Sequence, residues 1–114
     1  MERLEIPETD IKLTDDLFVK QMVCEKAGTL IEQHVHAYDH ITMIAVGSFR
    51  VWRDGKILGD YKAPSGVVIE AGRRHMLQAL EPGSLLYCIH RTDKAGEIDT
   101  IPAESILKHI PGVV

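Results

Sequence analysis

The chain has 114 residues, the size of a single domain. Its 45% hydrophobic and 26% charged residues are typical of a globular protein and exclude a disordered or collagen-like chain. Seventeen acidic residues against thirteen basic ones give a net charge of -4, so nucleic acid is not an expected partner.

The apolar runs are too short to span a membrane, and the first residues contain no signal-peptide core, so we expect a cytoplasmic protein with no membrane partner.

Short strands separated by turns are predicted along most of the chain. In chain order the predicted strands cover residues 17–24, 29–31, 41–46, 48–53, 56–61, 67–70, 75–80 and 84–90. Asp54-Gly55 favours a type I′ hairpin, and the last two strands are expected to pair across the turn at 81–83. This spacing leaves no room for crossover helices in the middle of the chain, and it predicts an all-β sandwich or barrel.

The two ends of the chain are predicted to differ from the middle. The first dozen residues form either an added edge strand or a subunit contact. A short C-terminal helix is predicted near the end, because Pro102 suits a first helical position, Ile106 and Ile110 share a face, and Pro111-Gly112 ends the segment.

Strand alternation predicts which side chains face the interior. Thr42, Ile44 and Val46 are expected to point inward, as are Leu77 and Ala79. On the strand at 48–53, the apolar pair Phe49 and Val51 is the preferred inward set. The resulting pocket is narrow and apolar, which suits a small hydrophobic or aromatic substrate or a small anion.

Two cysteines form no disulfide framework. Cys24 and Cys88 are expected to be reduced and buried, and an inward Cys88 would lie near the histidines described next.

Histidines are the distinctive feature of the sequence. Six are present, and His34, His36, His40 and His75 fall within one 42-residue stretch. On a strand, His34 and His36 would point to one face, while His40 and His75 each open a further strand. These four are expected to bind one divalent transition metal, since neutral imidazole suits such ions. His90 is assigned to the surface or to the surroundings of the site, and His109 is given no chemical role.

The spacing of these histidines resembles a known family. Gly28-x5-His34-x-His36-x3-His40-x6-Gly47 is similar to the first cupin motif, with histidine in place of the usual glutamate. The second cupin motif is partly kept as Gly72-x2-His75.

Two further positions depart from that second motif. Glu70 stands where proline is usual, and Ala79 replaces the final asparagine. The resemblance covers about residues 17–91.

The cupin resemblance implies a double-stranded β-helix, or jelly-roll barrel, occupying residues 1–114 as one domain. It implies that His34, His36 and His75 are the three histidine ligands and that His40 takes the glutamate position. Iron or manganese is the expected metal, with nickel, cobalt, zinc or copper as alternatives. A homodimer is expected from the resemblance and from exposed barrel edges.

Several functions remain open at this point. The leading hypothesis is a dioxygenase-like oxidoreductase acting on a small molecule. The alternatives are a metal-dependent lyase or isomerase and a non-catalytic domain that binds a small ligand.

The loops beside the histidines also have open interpretations. Tyr38 and Asp39 either orient a metal ligand or lie in an exposed loop. Arg73 and Arg74 either attract a carboxylate or are solvated.

Overall fold

The computed structural model describes residues 6–14, 16–33 and 35–91, and these ranges contain nine β-strands and no helix. The strands are β1 (Glu8–Leu13), β2 (Leu17–Cys24), β3 (Leu30–Glu32), β4 (His40–Val46), β5 (Ser48–Arg53), β6 (Lys56–Lys62), β7 (Ser65–Ile69), β8 (His75–Ala79) and β9 (Ser84–Arg91). The predicted all-β architecture is confirmed. The predicted C-terminal helix lies outside the described residues.

Two antiparallel sheets form the two walls of the fold. One has five strands in the order β1-β2-β9-β4-β7, and the other has four in the order β3-β8-β5-β6. β1 pairs with β2 at the edge of the larger sheet, so residues 8–13 form an added edge strand. The described residues include no helix with the length and apolarity needed to cross a membrane.

The predicted pairing of the last two strands is wrong. β8 pairs with β3 and β5, whereas β9 pairs with β2 and β4, so the two strands lie in different sheets. The turn between them passes from one wall to the other: the Leu80 N–H donates to Ser48 O, and the Gly83 N–H donates to Cys24 O. These bonds make the turn a barrel corner rather than a hairpin.

The core lies between the two sheets and follows strand alternation closely. Thr42, Ile44 and Leu77 are fully buried or nearly so, as are Ala79, Phe49 and Val51, which confirms six of the inward predictions. Val46 is 49% exposed, so its inward prediction is wrong. The register of β4 against β9 shifts between Ile44 and Val46, and this bulge reverses the direction of the side chains beyond it.

The turn at Asp54-Gly55 has the backbone that its sequence favours. Asp54 has φ 53° and Gly55 has φ 83°, and two successive positive φ values are typical of a type I′ turn. The hairpin joins β5 to β6, and its turn lies beside the loop that precedes β8, because the Asp54 N–H donates to Arg74 O over 2.8 Å. The hairpin therefore supports the loop that carries His75.

Candidate metal centre

His40 and His75 begin strands in opposite walls of the barrel. His40 is the first residue of β4 and is 5% exposed, and His75 is the first residue of β8 and is 2% exposed. Each therefore opens a strand, as the sequence predicts. The two imidazoles are close enough for each other's charge to matter, since His75 contributes to lowering the pKa of His40.

His36 reaches the same region from a loop rather than from a strand. β3 ends at Glu32, so the strand predicted to place His34 and His36 on one face does not extend to His36. The His36 ring nevertheless lies edge-on to His40, with 5.0 Å between ring centroids. Its backbone carbonyl accepts a hydrogen bond from the Gly72 N–H, which holds the loop in place. His34 lies outside the described residues.

Of the two positions predicted for His90, the surface or the surroundings of the site, the structure shows the second. His90 is 8% exposed and stacks on Phe18, with 4.5 Å between ring centroids and 15° between planes. Its ring centroid is 5.7 Å from His40 and 6.1 Å from His36. Alternation on β9 already disfavours a surface position, because buried Leu86 and Cys88 share its parity.

Among the described residues, two buried imidazole nitrogens have no hydrogen-bond partner, namely His40 Nδ1 and His75 Nε2. The other nitrogen of His75, Nδ1, lies 3.3 Å from Arg73 O, and only a protonated nitrogen can bond to a carbonyl. The Nε2 of a neutral His75 therefore carries a lone pair. An unpaired buried polar atom costs about 1–3 kcal/mol.

Both rings are held in the neutral form that a metal needs. Burial lowers the pKa of His40 to about 3, with smaller contributions from the nearby charges of His36, His90, His75 and Lys20. Burial also lowers the pKa of His75 below its ordinary value. Neutral imidazole with an unpaired nitrogen fits a transition metal in donor type and in charge.

The described residues do not by themselves form a complete metal site. In residues 6–14, 16–33 and 35–91, no three or more His, Cys, Asp or Glu side chains form a group that could hold a metal ion. The expected set also contains His34, which is outside those ranges.

A network of carboxylates fixes the loop before His75. Asp54 accepts hydrogen bonds from the Arg74 backbone N–H and from Arg73 Nε. Glu70 accepts one from Arg53 Nη1 over 3.2 Å. Of the two interpretations of Arg73, the structure shows a partly exposed side chain paired with Asp54 and Glu70.

The loop between His36 and His40 rests on the same network. Asp39 Oδ1 accepts a hydrogen bond from the Ala71 N–H over 2.7 Å, and the Tyr38 ring stacks on His36 with 5.2 Å between centroids. Tyr38 and Asp39 thus help to hold the loop that carries these histidines.

Cys88 faces the interior beside this region. Its Sγ accepts a hydrogen bond from Gln33 Nε2 at 3.7 Å and lies 3.5 Å from Thr42 Oγ1. Both cysteines are buried and free, as the sequence predicts, and burial raises the pKa of Cys24 to about 11.

Two cavities open beside the histidines. One, of about 420 Å³, is bordered by His40 and His90 and has Ile41 and Val68 in its wall. The other, of about 310 Å³, is bordered by His75 together with Gln33, Trp52 and Met76.

Comparison with known proteins supplies information at the level of the fold. No family profile matches the chain, and no curated protein matches it. Solved structures do match. KdgF from Halomonas sp. is 25% identical, with a TM-score of 0.61 over 75% of this chain and 79% of that one.

Two other solved structures carry descriptions of their fold. A Klebsiella pneumoniae protein with a double-stranded β-helix domain is 21% identical, with a TM-score of 0.66 over 80% of this chain and 81% of that one. An RmlC-like cupin from Methanocaldococcus jannaschii is 12% identical, with a TM-score of 0.64 over 80% and 84%.

Proposed function

We propose that this chain, which has the double-stranded β-helix fold of the cupins, binds one divalent transition metal and oxidises a small molecule there. The ligands would be His34, His36, His40 and His75. The observation that carries the proposal is the pair of buried imidazole nitrogens without a hydrogen-bond partner, one from each wall of the barrel.

A metal ion bound to both nitrogens would offset the cost of burying them unpaired. Each unsatisfied buried nitrogen is destabilising by about 1–3 kcal/mol, and coordination satisfies both at once. The hydrogen bond from His75 Nδ1 to Arg73 O supports this role, because it leaves the lone pair of Nε2 for a metal.

The ligand set also determines the charge of the site. Four neutral imidazoles leave the full positive charge of a divalent ion, so an anionic ligand is held more strongly than beside a carboxylate ligand. When bound, an iron or manganese ion would supply Lewis acidity and dioxygen activation.

The lyase or isomerase alternative depends on which buried polar groups could move a proton. Within the described residues these are histidine, threonine, serine and glutamine side chains, with no buried aspartate or glutamate. Asp39 is exposed and is bonded to the Ala71 backbone. A histidine outside the proposed ligand set, such as His90, would therefore move the proton, and the lyase or isomerase reaction is kept as the alternative to oxidation.

Metal analysis of the purified chain tests the ligand set. Without added metal during purification, the protein should contain about one transition-metal ion per chain. His40→Ala and His75→Ala should each lose most of it, and His109→Ala serves as a matched control that retains it. Retention of metal by both site variants would contradict the proposal.

Oxygen consumption tests the reaction class. A panel of diketones, phenols and thiols should contain a compound that causes the metal-loaded protein to consume dioxygen, and His40→Ala should abolish this. Conversion of a compound without oxygen uptake would instead support the lyase or isomerase alternative.

A further inference from the structure

The two sheets of the barrel differ on their outward faces. The four-stranded sheet carries an ion pair on this side, with 2.7 Å between Arg50 Nε and Asp60 Oδ1. The outward side of the five-stranded sheet is apolar across β2, β9, β4 and β7. We call this surface the apolar face, and its centre consists of Val19, Ile41, Met43, Val68, Tyr87 and Ile89.

Strand pairing makes the apolar face continuous. One row of aliphatic side chains crosses four strands, in the order Val19, Ile89, Ile41 and Val68. In the next row, Met43 lies between Tyr87 and Gly66. A Cβ at Gly66 would lie 3.0 Å from Met43 Sδ, so the Met43 side chain extends over β7. The hydrocarbon surface therefore runs without a gap from β2 to β7.

This surface is suited to removal from water. Ile41, Met43 and Val68 are between 42% and 54% exposed, so their hydrocarbon faces solvent in the single chain. The Tyr87 hydroxyl donates to Gln21 Oε1 over 3.0 Å and keeps that partner when water is excluded. Continuous apolar patches of this kind on a soluble protein mark sites of association.

The size of the sheet matches what a dimer needs. With strands about 4.8 Å apart and a rise of about 3.3 Å per residue, five strands of about seven residues cover roughly 550 Å² of flat area. The relief of the side chains makes the accessible surface larger than this flat area. A standard interface buries about 800 Å² on each partner. The whole outward face of this sheet is therefore the right size for one partner of similar width.

Charged side chains lie at the edge of the apolar face, on β1. Its outward side chains are Glu8, Asp10 and Lys12, in that order along the edge. Lys12 Nζ lies 3.0 Å from Asp10 Oδ2 in an exposed ion pair, which contributes little to stability. A hydrogen bond with Glu25 and the charge of Glu25 raise the pKa of Glu8 at the opposite end. The edge therefore has a lysine at one end and two neighbouring glutamates at the other.

A second copy of the chain complements this charge pattern. A two-fold axis brings the same patch of both subunits together. If the axis lies between two facing sheets and runs across their strands, each β1 lies along the other with its ends reversed. Glu8 then meets Lys12 of the partner subunit at two equivalent places, while Asp10 keeps its bond to Lys12 of its own chain. If the axis runs along the strands instead, β1 lies over β7, whose outward residues Gly66 and Val68 carry no charge.

We propose that the protein forms a homodimer in which the apolar faces of two copies pack against each other, with β1 of each copy lying along β1 of the other in the reverse direction. This interface goes beyond the proposed function, because it lies on the outside of the barrel, whereas His40 and His75 are buried in the interior. The outward face of the four-stranded sheet is the poorer candidate, since Arg50 and Asp60 would have to be desolvated.

Sedimentation equilibrium of the full-length protein tests the interface. The wild-type chain should be a dimer. Met43→Glu should raise the dimer Kd at least about 100-fold, because it buries an unpaired charge at the centre of the apolar face, and Val68→Lys should act in the same way. Far-UV circular dichroism checks that both variants fold.

Ile57→Glu is the matched control. Ile57 is 60% exposed on β6 of the four-stranded sheet, so its variant should keep the wild-type dimer Kd. A monomeric wild-type chain, or an equal rise of the dimer Kd in Met43→Glu and Ile57→Glu, would overturn the inference. A monomer that Met43→Glu makes less stable to urea would show that residues 92–114 of the same chain cover the face, and this result would also overturn it.

Charge exchange tests the reversed orientation of β1. Lys12→Glu and Glu8→Lys should each raise the dimer Kd about tenfold, because each places like charges together at two equivalent contacts. The double variant Glu8→Lys with Lys12→Glu should restore a Kd close to that of the wild type. Lys56→Glu, an exposed charge reversal on the four-stranded sheet, should have no effect. A double variant no better than the single ones would overturn the reversed arrangement.

Discussion

The two walls of the barrel hold their histidines in different ways. His75, on the four-stranded sheet, follows a loop tied by surface ion pairs, since Arg73 pairs with Asp54 and Arg53 pairs with Glu70. His40, on the five-stranded sheet, is packed among other rings, with His36 and His90 within 6 Å between centroids. One half of the site therefore depends on exposed charges and the other on buried packing.

This difference indicates how each half responds to its surroundings. Exposed ion pairs are weak and are screened by salt, whereas a buried ring is insensitive to salt but sensitive to protonation. The two halves are joined where the loops meet, because Ala71 and Gly72 donate to Asp39 and His36. A disturbance of either half should reach the other through these bonds.

The largest expected effect is at the corner that joins the two sheets. Gly47 connects β4 to β5 with φ +78°, and a Cβ added there would lie 2.9 Å from Ser84 Cα and clash with the Ser84 side chain. Gly47→Ala should lower the free energy of unfolding by about 2–5 kcal/mol, combining backbone strain with overpacking. Urea denaturation measures the loss.

Gly83→Ala is the matched control for this variant. Gly83 lies in the other barrel corner at the same φ of +78°, but a Cβ there meets no atom within 4 Å. Its alanine variant should lose only the strain of the backbone, about 1–2 kcal/mol. Equal losses of the free energy of unfolding in the two variants would show that the contact with Ser84 adds nothing to the cost of Gly47→Ala.

An intermediate effect is expected from pH. Burial lowers the pKa of His40 from its ordinary value of 6.5 to about 3. Between these two pH values His40 is protonated in the unfolded chain and neutral in the folded one. The free energy of unfolding of the metal-free protein should therefore decrease as the pH is lowered from about 6.5 to about 3, by up to about 1.4 kcal/mol per pH unit.

Substitution of His40 separates its contribution to the pH dependence of unfolding from that of His75. In His40→Gln the slope should become smaller but should not vanish, because the pKa of His75 is also lowered by burial. Urea denaturation at about pH 7 and about pH 5 makes the comparison. An unchanged slope in the variant would mean that the ring of His40 is not protected from protonation by its packing.

The smallest effect is expected in the loop before His75, which exposed ion pairs hold in place. Asp54→Asn removes the charge that pairs with Arg73, so the loop before His75 should loosen and metal affinity should fall several-fold. Isothermal titration with Mn²⁺ measures the change. Asp60→Asn is the matched control, since it breaks an ion pair with Arg50 on the same sheet that does not involve this loop. Similar losses in both variants would refute a specific role for Asp54.

Most of the strands were predictable because the sequence is locally consistent. The strand at Leu17–Cys24 and the Asp54-Gly55 turn combine alternation with turn residues, and the structure has both as expected. The errors at Val46 and in the pairing of β8 with β9 were non-local. The bulge before Val46 and the separation of β8 from β9 depend on which strands pair, and single-strand patterns do not contain that information.

The positions of the candidate ligands were predictable where a histidine begins a strand. They were not predictable where a loop or side-chain packing determines the position. His40 and His75 open their strands, so their positions were accessible from spacing. The spacing of His90 left two positions open for it, the surface and the surroundings of the site, and its stacking on Phe18 and closeness to His40 show that it is in the surroundings. His36 reaches the site through a loop held by Gly72, which alternation does not predict.

The central claim is that imidazoles from both walls join one metal centre. The most direct test is a titration of the metal-free protein with Co²⁺, followed through the histidine ring signals in NMR spectra. The signals of His40 and His75 should shift together and stop changing at about one equivalent of metal per chain. Response of only one of the two rings, or saturation at different amounts of metal, would contradict a single centre spanning the two sheets.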